Sequence, residues 1–251
     1  MGRYSQLVLG WRDAAWWREH VIWFDPCASI LPRTRRRYDK MRRAALGNRK
    51  RYISSNAREY SRNLKGPKEA LKQDSWDAER ISWIMIVARG VVAVHMMPED
   101  WTTDGPGLAA AVPNVPRIIR GMLGRAAALP RVLFTDRGTG MYVPTGQIVR
   151  AYAAAVARAK LHVYWGPDAQ VQSADMGDLL LHETAVAWFR ARMKKERPAV
   201  VPWEETRAQW KARADRCVES INAECDVLGL CDEFPGRLRA CIAREGDRLP
   251  K

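Results

Sequence analysis

The feature that most constrains the fold is a series of five short apolar runs rich in strand-forming residues. The runs cover residues 21–25, 81–88, 91–97, 131–136 and 161–165. Runs of this length, bounded by Gly, Pro or Asp, are typical of buried strands. Only Arg89-Gly90 separates the second run from the third, which predicts a tight β-hairpin at that point.

Helical patterns accompany the later runs. Residues 108–128 are helical in composition, but Pro113 and Pro116 interrupt them, which predicts a break or kink. Residues 145–160 carry apolar side chains at helical spacing, and Thr145 is suited to cap the start. Strands and helices therefore alternate in the second half of the chain.

The longest helical pattern covers residues 178–197 and ends before Pro198. Its apolar positions predict a buried side that is formed by Leu181, Thr184, Ala185, Trp188 and Met193. The last segment, 203–251, predicts two or three helices that cover an edge of the sheet.

This order of elements resembles that of a ribonuclease-H-like α/β domain. The resemblance implies a mixed sheet flanked by helices, with an insertion after the first strand and a helical C-terminal tail. We expect one such core over residues 1–197, including a basic insertion at about 33–72, and a helical extension over residues 198–251.

Positive charge is concentrated in the insertion. The chain has a net charge of +14, and fifteen Lys or Arg residues lie between Arg33 and Lys72 against Asp39, Glu59 and Glu69. Such a segment binds polyanions with an affinity that falls as salt rises, although a solvated insertion or a nuclear-import signal has the same composition. The residues expected to contact nucleic acid, as double-stranded DNA, are Arg35, Arg36, Arg37, Arg42, Arg43, Arg49, Lys50 and Arg51.

Tyrosines are interleaved with these cations. Tyr38, Tyr52 and Tyr60 are spaced through the basic segment, and aromatic rings can stack on bases or pack against sugars. This combination favours a nucleic-acid surface over a featureless basic insertion.

Other classes of protein are disfavoured. No apolar run approaches the length that spans a bilayer, and Arg12 and Asp13 interrupt the stretch that a signal peptide would need. The odd number of cysteines and their wide spacing argue against both a disulfide framework and a zinc site. We expect an intracellular protein without membrane association, nuclear if it is eukaryotic.

Two of the apolar runs end in aspartate: VIWFD at Asp25 and VLFTD at Asp136. Carboxylates on adjacent strands can hold two divalent cations roughly 3.5–4 Å apart, as Mg²⁺ or Mn²⁺. A third acid at the start of a later helix completes such a site. The candidates, in order of preference, are Asp175, Glu183 and Asp178, and the predicted metal ligands are Asp25, Asp136 and Asp175. Asp178 could equally be a helix N-cap, and Glu183 a surface residue.

Several segments resemble the catalytic domain of mariner-type DDE transposases. The similar segments, in order, are WWREHVIWFDPCASIL (16–31), ISWIMIVARGVVAVHMMPED (81–100), RVLFTDRG (131–138), QSADMGDLLLHETAVAWFRARMKK (172–195) and FPGRLRACIAREGDRLPK (234–251). The resemblance implies a DNA-binding protein that cleaves and joins DNA strands with two divalent metal ions. It also implies DNA as partner, and a homodimer is a further expectation.

The chain departs from that family at three points. Pro26 follows the first aspartate where the family has glutamate, and Arg137 follows the second where the family has asparagine. Only about twenty residues precede Asp25, too few for the family's helix-turn-helix modules. These departures favour the alternative of a catalytically inactive nucleic-acid-binding derivative. A scaffold protein without DNA binding is the third hypothesis, since fold alone does not fix function.

Overall fold

The computed structural model describes residues 12–51, 77–101, 105–124, 128–134, 154–163 and 179–245, without the side chains of 44–51, 105–106, 108 and 163. The described strands are β1 (Val21–Pro32), β2 (Ala78–Ala88), β3 (Val91–Met96), β4 (Val132–Phe134) and β5 (His162–Val163). They form one sheet in the order β3-β2-β1-β4-β5. β1 and β4 are parallel, as are β4 and β5, whereas β2 and β3 are antiparallel. The expected mixed sheet is confirmed.

Helices precede, separate and follow these strands along the chain. They are α1 (Ala14–His20), α2 (Arg35–Arg51), α3 (Gly105–Ala111), α4 (Val115–Leu123), α5 (Leu181–Lys195), α6 (Arg207–Glu224), α7 (Val227–Asp232) and α8 (Phe234–Ala243). Residues 154–158 are also helical, within the predicted helix 145–160. The interruption expected near Pro113 is a 3₁₀ turn, Val112–Asn114, between α3 and α4. The helical C-terminal tail is confirmed as three helices.

None of the described helices is long and apolar enough to cross a bilayer.

The described residues within 1–27, 82–196 and 213–251 form one compact unit, and those within 28–81 and 197–212 form another. The predicted boundary between residues 197 and 198 stays a prediction. In the second unit, the guanidinium groups of Arg33 and Arg207 both pair with Glu79. Arg33 Nη1 also donates to the backbone oxygen of Glu205, at 2.8 Å. Charged pairs, rather than apolar side chains alone, therefore hold this unit together.

Side chains alternate between the two faces of the sheet in the first unit. One face contributes Ile22, Phe24, Ile84, Ile86 and Leu133 to a single apolar cluster with α3, α4 and residues 154–158. The opposite face carries large aromatic rings. Trp23 and Phe134 lie against Phe234 of α8, with ring centroids 6.1 and 5.5 Å away. The central strands are thus buried on both faces, as in sheets with helices on either side.

The β2–β3 hairpin has the two-residue turn that the sequence predicts. Ala88 pairs with Val91, and Arg89 and Gly90 have φ angles of 48° and 77°. A turn with two positive φ angles matches the twist of the flanking strands. A Cβ atom on Gly90 would lie 3.0 Å from Leu228 Cδ1, so both backbone and packing favour glycine.

The end of α5 is held by buried and half-buried polar groups. Arg213 Nη1 donates to the backbone oxygens of Met193 and Glu196, at 2.8 and 3.2 Å, which satisfies carbonyls that the helix leaves unpaired. The Glu196 carboxylate accepts hydrogen bonds from Arg216 Nε and Cys217 Sγ. These contacts join α5 to α6.

We predict that Gly90→Ala lowers the free energy of unfolding by about 1–2 kcal/mol, because alanine is strained at a positive φ. The matched control is Gly121→Ala, where a Cβ atom meets nothing within 4 Å inside α4. Alanine favours the helix there, so this variant should be unchanged or slightly more stable. Urea titrations measure both, and equal effects would contradict the turn geometry.

We also predict that Glu196 makes stability depend on acid. The hydrogen bond from Arg216 lowers the pKa of Glu196 below its usual value near 4.5, and the Cys217 thiol and Arg213 lower it further. Its contribution is therefore present above the unfolded pKa and is lost as pH falls through the folded pKa. The carboxylate is a third exposed, so Glu196→Gln should cost less than about 1 kcal/mol at pH 7 and less than that at pH 3. Chemical denaturation at both pH values checks this, with Glu219→Gln as control; an equal cost at pH 3 would contradict it.

Candidate metal and DNA-processing site

Asp25 lies within β1 rather than at its end. The prediction that Asp25-Pro26 ends the strand is wrong, because β1 continues to Pro32. The residue before a proline is driven into extended backbone, and the fixed φ of proline is compatible with a strand. Pro26 has no backbone N–H to donate to a neighbouring strand, and β1 nevertheless continues past it. Asp25 therefore projects from a continuous strand at the centre of the sheet.

The register of the sheet decides which way Asp25 points. Ile22 and Phe24 enter the apolar cluster, so Trp23 and Asp25 share the opposite face. Helix α5 lies on this opposite face, because its Phe189 packs against Trp83 of β2 with a centroid distance of 5.0 Å. Asp25 therefore faces the layer that contains α5.

The first turn of α5 brings two further side chains to Asp25. One ligand-type atom each from Asp25, His182 and Glu183 lie within 4.8 Å of one another. Asp25 is half-buried, His182 is fully buried and Glu183 is exposed. A negative side chain in the first turn also suits the helix dipole, so Glu183 has a structural role besides any ligand role.

His182 is the residue of this cluster that the sequence did not predict. The sequence suggests a packed histidine, and the side chain is indeed fully buried beside Leu181, Ala185, Val186 and Phe189. Within the described part of the chain, however, neither ring nitrogen has a hydrogen-bond partner. Burial lowers the pKa of His182 to about 3, so the ring is neutral. An unsatisfied buried polar group costs about 1–3 kcal/mol of stability. Packing alone therefore does not explain why a histidine stands at this position.

A cysteine two residues along the strand completes the surroundings of Asp25. Cys27 Sγ donates a hydrogen bond to Asp25 Oδ2 at 3.0 Å. Burial raises the pKa of the Cys27 thiol, and the Asp25 carboxylate raises it further, whereas the positive charge of Arg190 lowers it. The thiol therefore stays protonated and fixes the orientation of the carboxylate. All five cysteines are free.

The donor set fits a divalent cation. Two carboxylates and a neutral imidazole are metal ligands, and the imidazole has a nitrogen without a protein partner among the described residues. The other predicted ligands, Asp136, Asp175 and Asp178, lie outside the described residues, as does Arg137. The neighbouring strands are in place: β4 pairs with β1, and Trp23 and Phe134, two residues before Asp25 and Asp136, are partners.

The basic helix α2 presents only part of its predicted contact set. Arg35, Arg36, Arg42 and Arg43 are exposed, and the side chains of Arg49, Lys50 and Arg51 are not described. Arg37 is 3% exposed, so the expectation that it belongs to an exposed surface is wrong. Its Nη1 atom lies 3.9 Å from Asp77 Oδ1, within the second unit.

Tyr38 packs on Trp203 with ring centroids 5.8 Å apart. The ring is half-buried and serves packing within the second unit. Tyr52 and Tyr60 lie outside the described residues.

Comparison with known proteins identifies solved structures with a similar fold. No family model matches the chain, and no curated protein matches it. Among solved structures, the chain is similar to the catalytic domain of Mos1 mariner transposase, with a TM-score of 0.58, 11% identity, and coverage of 99% of this chain and 93% of that one. The expected ribonuclease-H-like fold, in the form found in transposase catalytic domains, is confirmed.

Two complexes of the same transposase are also similar. The Mos1 mariner paired-end complex with Mn has a TM-score of 0.58 at 12% identity, and the paired-end complex with Mg has 0.54 at 11%. Each match covers 99% of this chain and 62% of the transposase chain. At these identities the likeness establishes the fold, and the chain spans less than two thirds of those longer proteins.

We predict that Asp25 protects Cys27 from alkylation. Asp25→Asn removes a negative charge and should lower the pKa of the thiol, so the rate of Cys27 modification by iodoacetamide at pH 8 rises severalfold. The effect is limited because burial is the larger cause of the raised pKa. Mass spectrometry of the labelled protein gives the rate at each cysteine, and the half-buried Cys225 is the internal reference. An unchanged Cys27 rate in folded protein would contradict the contact.

Proposed function

We propose that this chain is a transposase-derived DNA-binding protein that cleaves or transfers DNA strands with divalent metal ions. One observation carries the proposal: Asp25 and Glu183 converge with His182 on one face of a sheet whose fold is that of a transposase catalytic domain. Asp136 is the further ligand in this proposal, because β4 lies beside β1 in the sheet.

The proposed metal ligands differ in how firmly the fold positions them. Asp25 is fixed on a strand that is buried on both sides, and Cys27 orients its carboxylate. Glu183 is exposed and supplies a carboxylate from the first turn of α5. Bound Mg²⁺ or Mn²⁺ would stabilise the charge that develops on oxygen during phosphoryl transfer. Complexes of the structurally similar transposase with Mn and with Mg support this choice of ions.

Arginine side chains, rather than the metal ions, would bind the DNA backbone. Arg35, Arg36, Arg42 and Arg43 lie exposed on α2, and each phosphate that they neutralise adds to the salt dependence of binding. Arg190 is exposed on α5 and its charge acts on Cys27 Sγ, so it is suited to hold a phosphate beside the carboxylates. A homodimer and a nuclear location stay predictions.

A second function is favoured by one contact. The hydrogen bond from Cys27 to Asp25 occupies a carboxylate oxygen that a cation would otherwise use. A protein that binds DNA through its basic residues and has lost cleavage would keep the fold and the charge while tolerating this contact. The two functions differ in whether Asp25 matters for cleavage.

We predict that purified protein with Mn²⁺ nicks a double-stranded oligonucleotide, and that Asp25→Asn abolishes nicking while leaving DNA affinity within about twofold. Removal of one metal-binding carboxylate typically leaves charge stabilisation incomplete, so a loss of more than about a hundredfold is expected. Cys27→Ala is the matched variant, because it removes the thiol and leaves the carboxylate. Gel assays of nicking and fluorescence anisotropy measure the two properties.

The outcomes separate the functions. Nicking that is lost in Asp25→Asn supports the enzyme, and DNA binding without nicking in either protein supports the inactive derivative. If neither nicking nor salt-dependent binding occurs, both proposals fail and the fold serves as a scaffold.

We predict separately that replacing Arg35, Arg36, Arg42 and Arg43 with alanine weakens DNA binding and lowers the slope of log affinity against log salt. The slope should fall by up to about one unit for each phosphate that the variant no longer neutralises. Replacing Lys194, Lys195, Arg197 and Arg244 removes the same formal charge elsewhere and is the control. Equal effects of the two variants would mean that net charge, rather than α2, drives binding.

A further inference from the structure

The imidazole of His182 has no assigned role in the fold. It is fully buried in the first turn of α5, and neither nitrogen has a hydrogen-bond partner among the residues that the structure describes. Buried polar side chains are nearly always paired, so an unpaired one marks a missing partner. An apolar side chain would pack at this position without leaving two polar atoms unpaired.

The position of a ring nitrogen indicates the missing partner. One of its nitrogens lies within 4.8 Å of carboxylate oxygens of both Asp25 and Glu183. Two ligands bonded to one ion at roughly 2.0–2.2 Å each are separated by at most about 4.4 Å. The three atoms lie within 4.8 Å of one another, so side-chain adjustments of a few tenths of an ångström bring them to a common ion.

We infer that His182 is a nitrogen ligand of the cation held by Asp25 and Glu183, so that this site prefers Mn²⁺ to Mg²⁺. The inference deepens the proposed function and rests on it for its biological role. Both Mg²⁺ and Mn²⁺ bind oxygen ligands, but Mn²⁺, as a transition-metal ion, accepts an imidazole nitrogen more readily than Mg²⁺ does. A buried imidazole beside two carboxylates thus selects among divalent cations in a way that carboxylates alone do not.

The surroundings of His182 support a fixed ligand. Leu181, Ala185 and Phe189 are buried on the same helix, and the His182 side chain is fully buried with them. The Asp25 carboxylate is oriented by Cys27 through its Oδ2 atom. Asp25 is therefore oriented by a hydrogen bond and His182 is buried on α5, whereas the Glu183 side chain is exposed and has room to turn.

The test uses the full chain and metal ions alone. Mn²⁺ and Mg²⁺ binding are measured by calorimetry, and the Mn²⁺ complex by electron spin-echo spectroscopy, which detects a coordinated imidazole nitrogen. We expect tighter binding of Mn²⁺ than of Mg²⁺ and a nitrogen coupling that shifts on labelling with ¹⁵N-histidine. His182→Gln should weaken Mn²⁺ binding at least tenfold and remove the coupling, with a smaller change for Mg²⁺.

Controls keep the result interpretable. His20→Gln changes an exposed histidine and should leave the coupling intact. Asp25→Asn and Glu183→Gln should weaken both ions. If His182→Gln does not fold, the wild-type spectrum still decides, because bound Mn²⁺ without nitrogen coupling overturns the inference.

Other outcomes are equally clear. Coupling that persists in folded His182→Gln, or the absence of Mn²⁺ binding at millimolar concentration, also overturns the inference. Nitrogen-coupled Mn²⁺ without DNA nicking would contradict the proposed enzyme and leave the ligand assignment standing. Nicking without nitrogen coupling would do the reverse.

Discussion

The structure depends on the burial of β1 on both faces. Ile22 and Phe24 enter the apolar cluster on one face, whereas Trp23 lies against Phe234 on the other. Helices must therefore cover both faces of the sheet, since an exposed face would leave large apolar side chains in water. The same alternation directs Asp25, two residues after Trp23, toward the side that α5 covers. One strand thus organises the core and aims the candidate site.

Much of this architecture follows from local sequence. The hairpin is predictable because Arg89-Gly90 separates two apolar runs by two residues, and that length admits few turn types. The interruption between α3 and α4 is predictable because Pro113 lacks a backbone N–H. The buried side of α5 is predictable only in part: Thr184, Trp188 and Met193 are half-buried, whereas His182, Val186 and Phe189 are buried. Adjacent apolar residues such as Trp188 and Phe189 allow two rotations of α5 about its axis, each with a different side toward the core. Only tertiary packing selects between them.

The candidate site is less predictable, for physical reasons. Glu183 is one of three acids that the sequence allows, and the sheet, rather than local sequence, brings it to Asp25. In the sequence His182 looks like a core residue, because a packed histidine and a metal-binding histidine can have the same apolar neighbours. Arg37 carries the same charge as its exposed neighbours, yet it is buried and lies 3.9 Å from Asp77, which is distant in the chain. Interactions that depend on partners far along the sequence are the ones that a local pattern does not contain.

The central claim is that Asp25, on β1, and the first turn of α5 form a cation site in a transposase-like fold. A crystal structure with Mn²⁺, phased at the manganese absorption edge, tests it directly. We expect an anomalous peak within about 2.0–2.4 Å of an Asp25 oxygen and of a His182 nitrogen, with Glu183 turned toward it. A fully loaded crystal with manganese bound elsewhere and none at Asp25 would contradict the account.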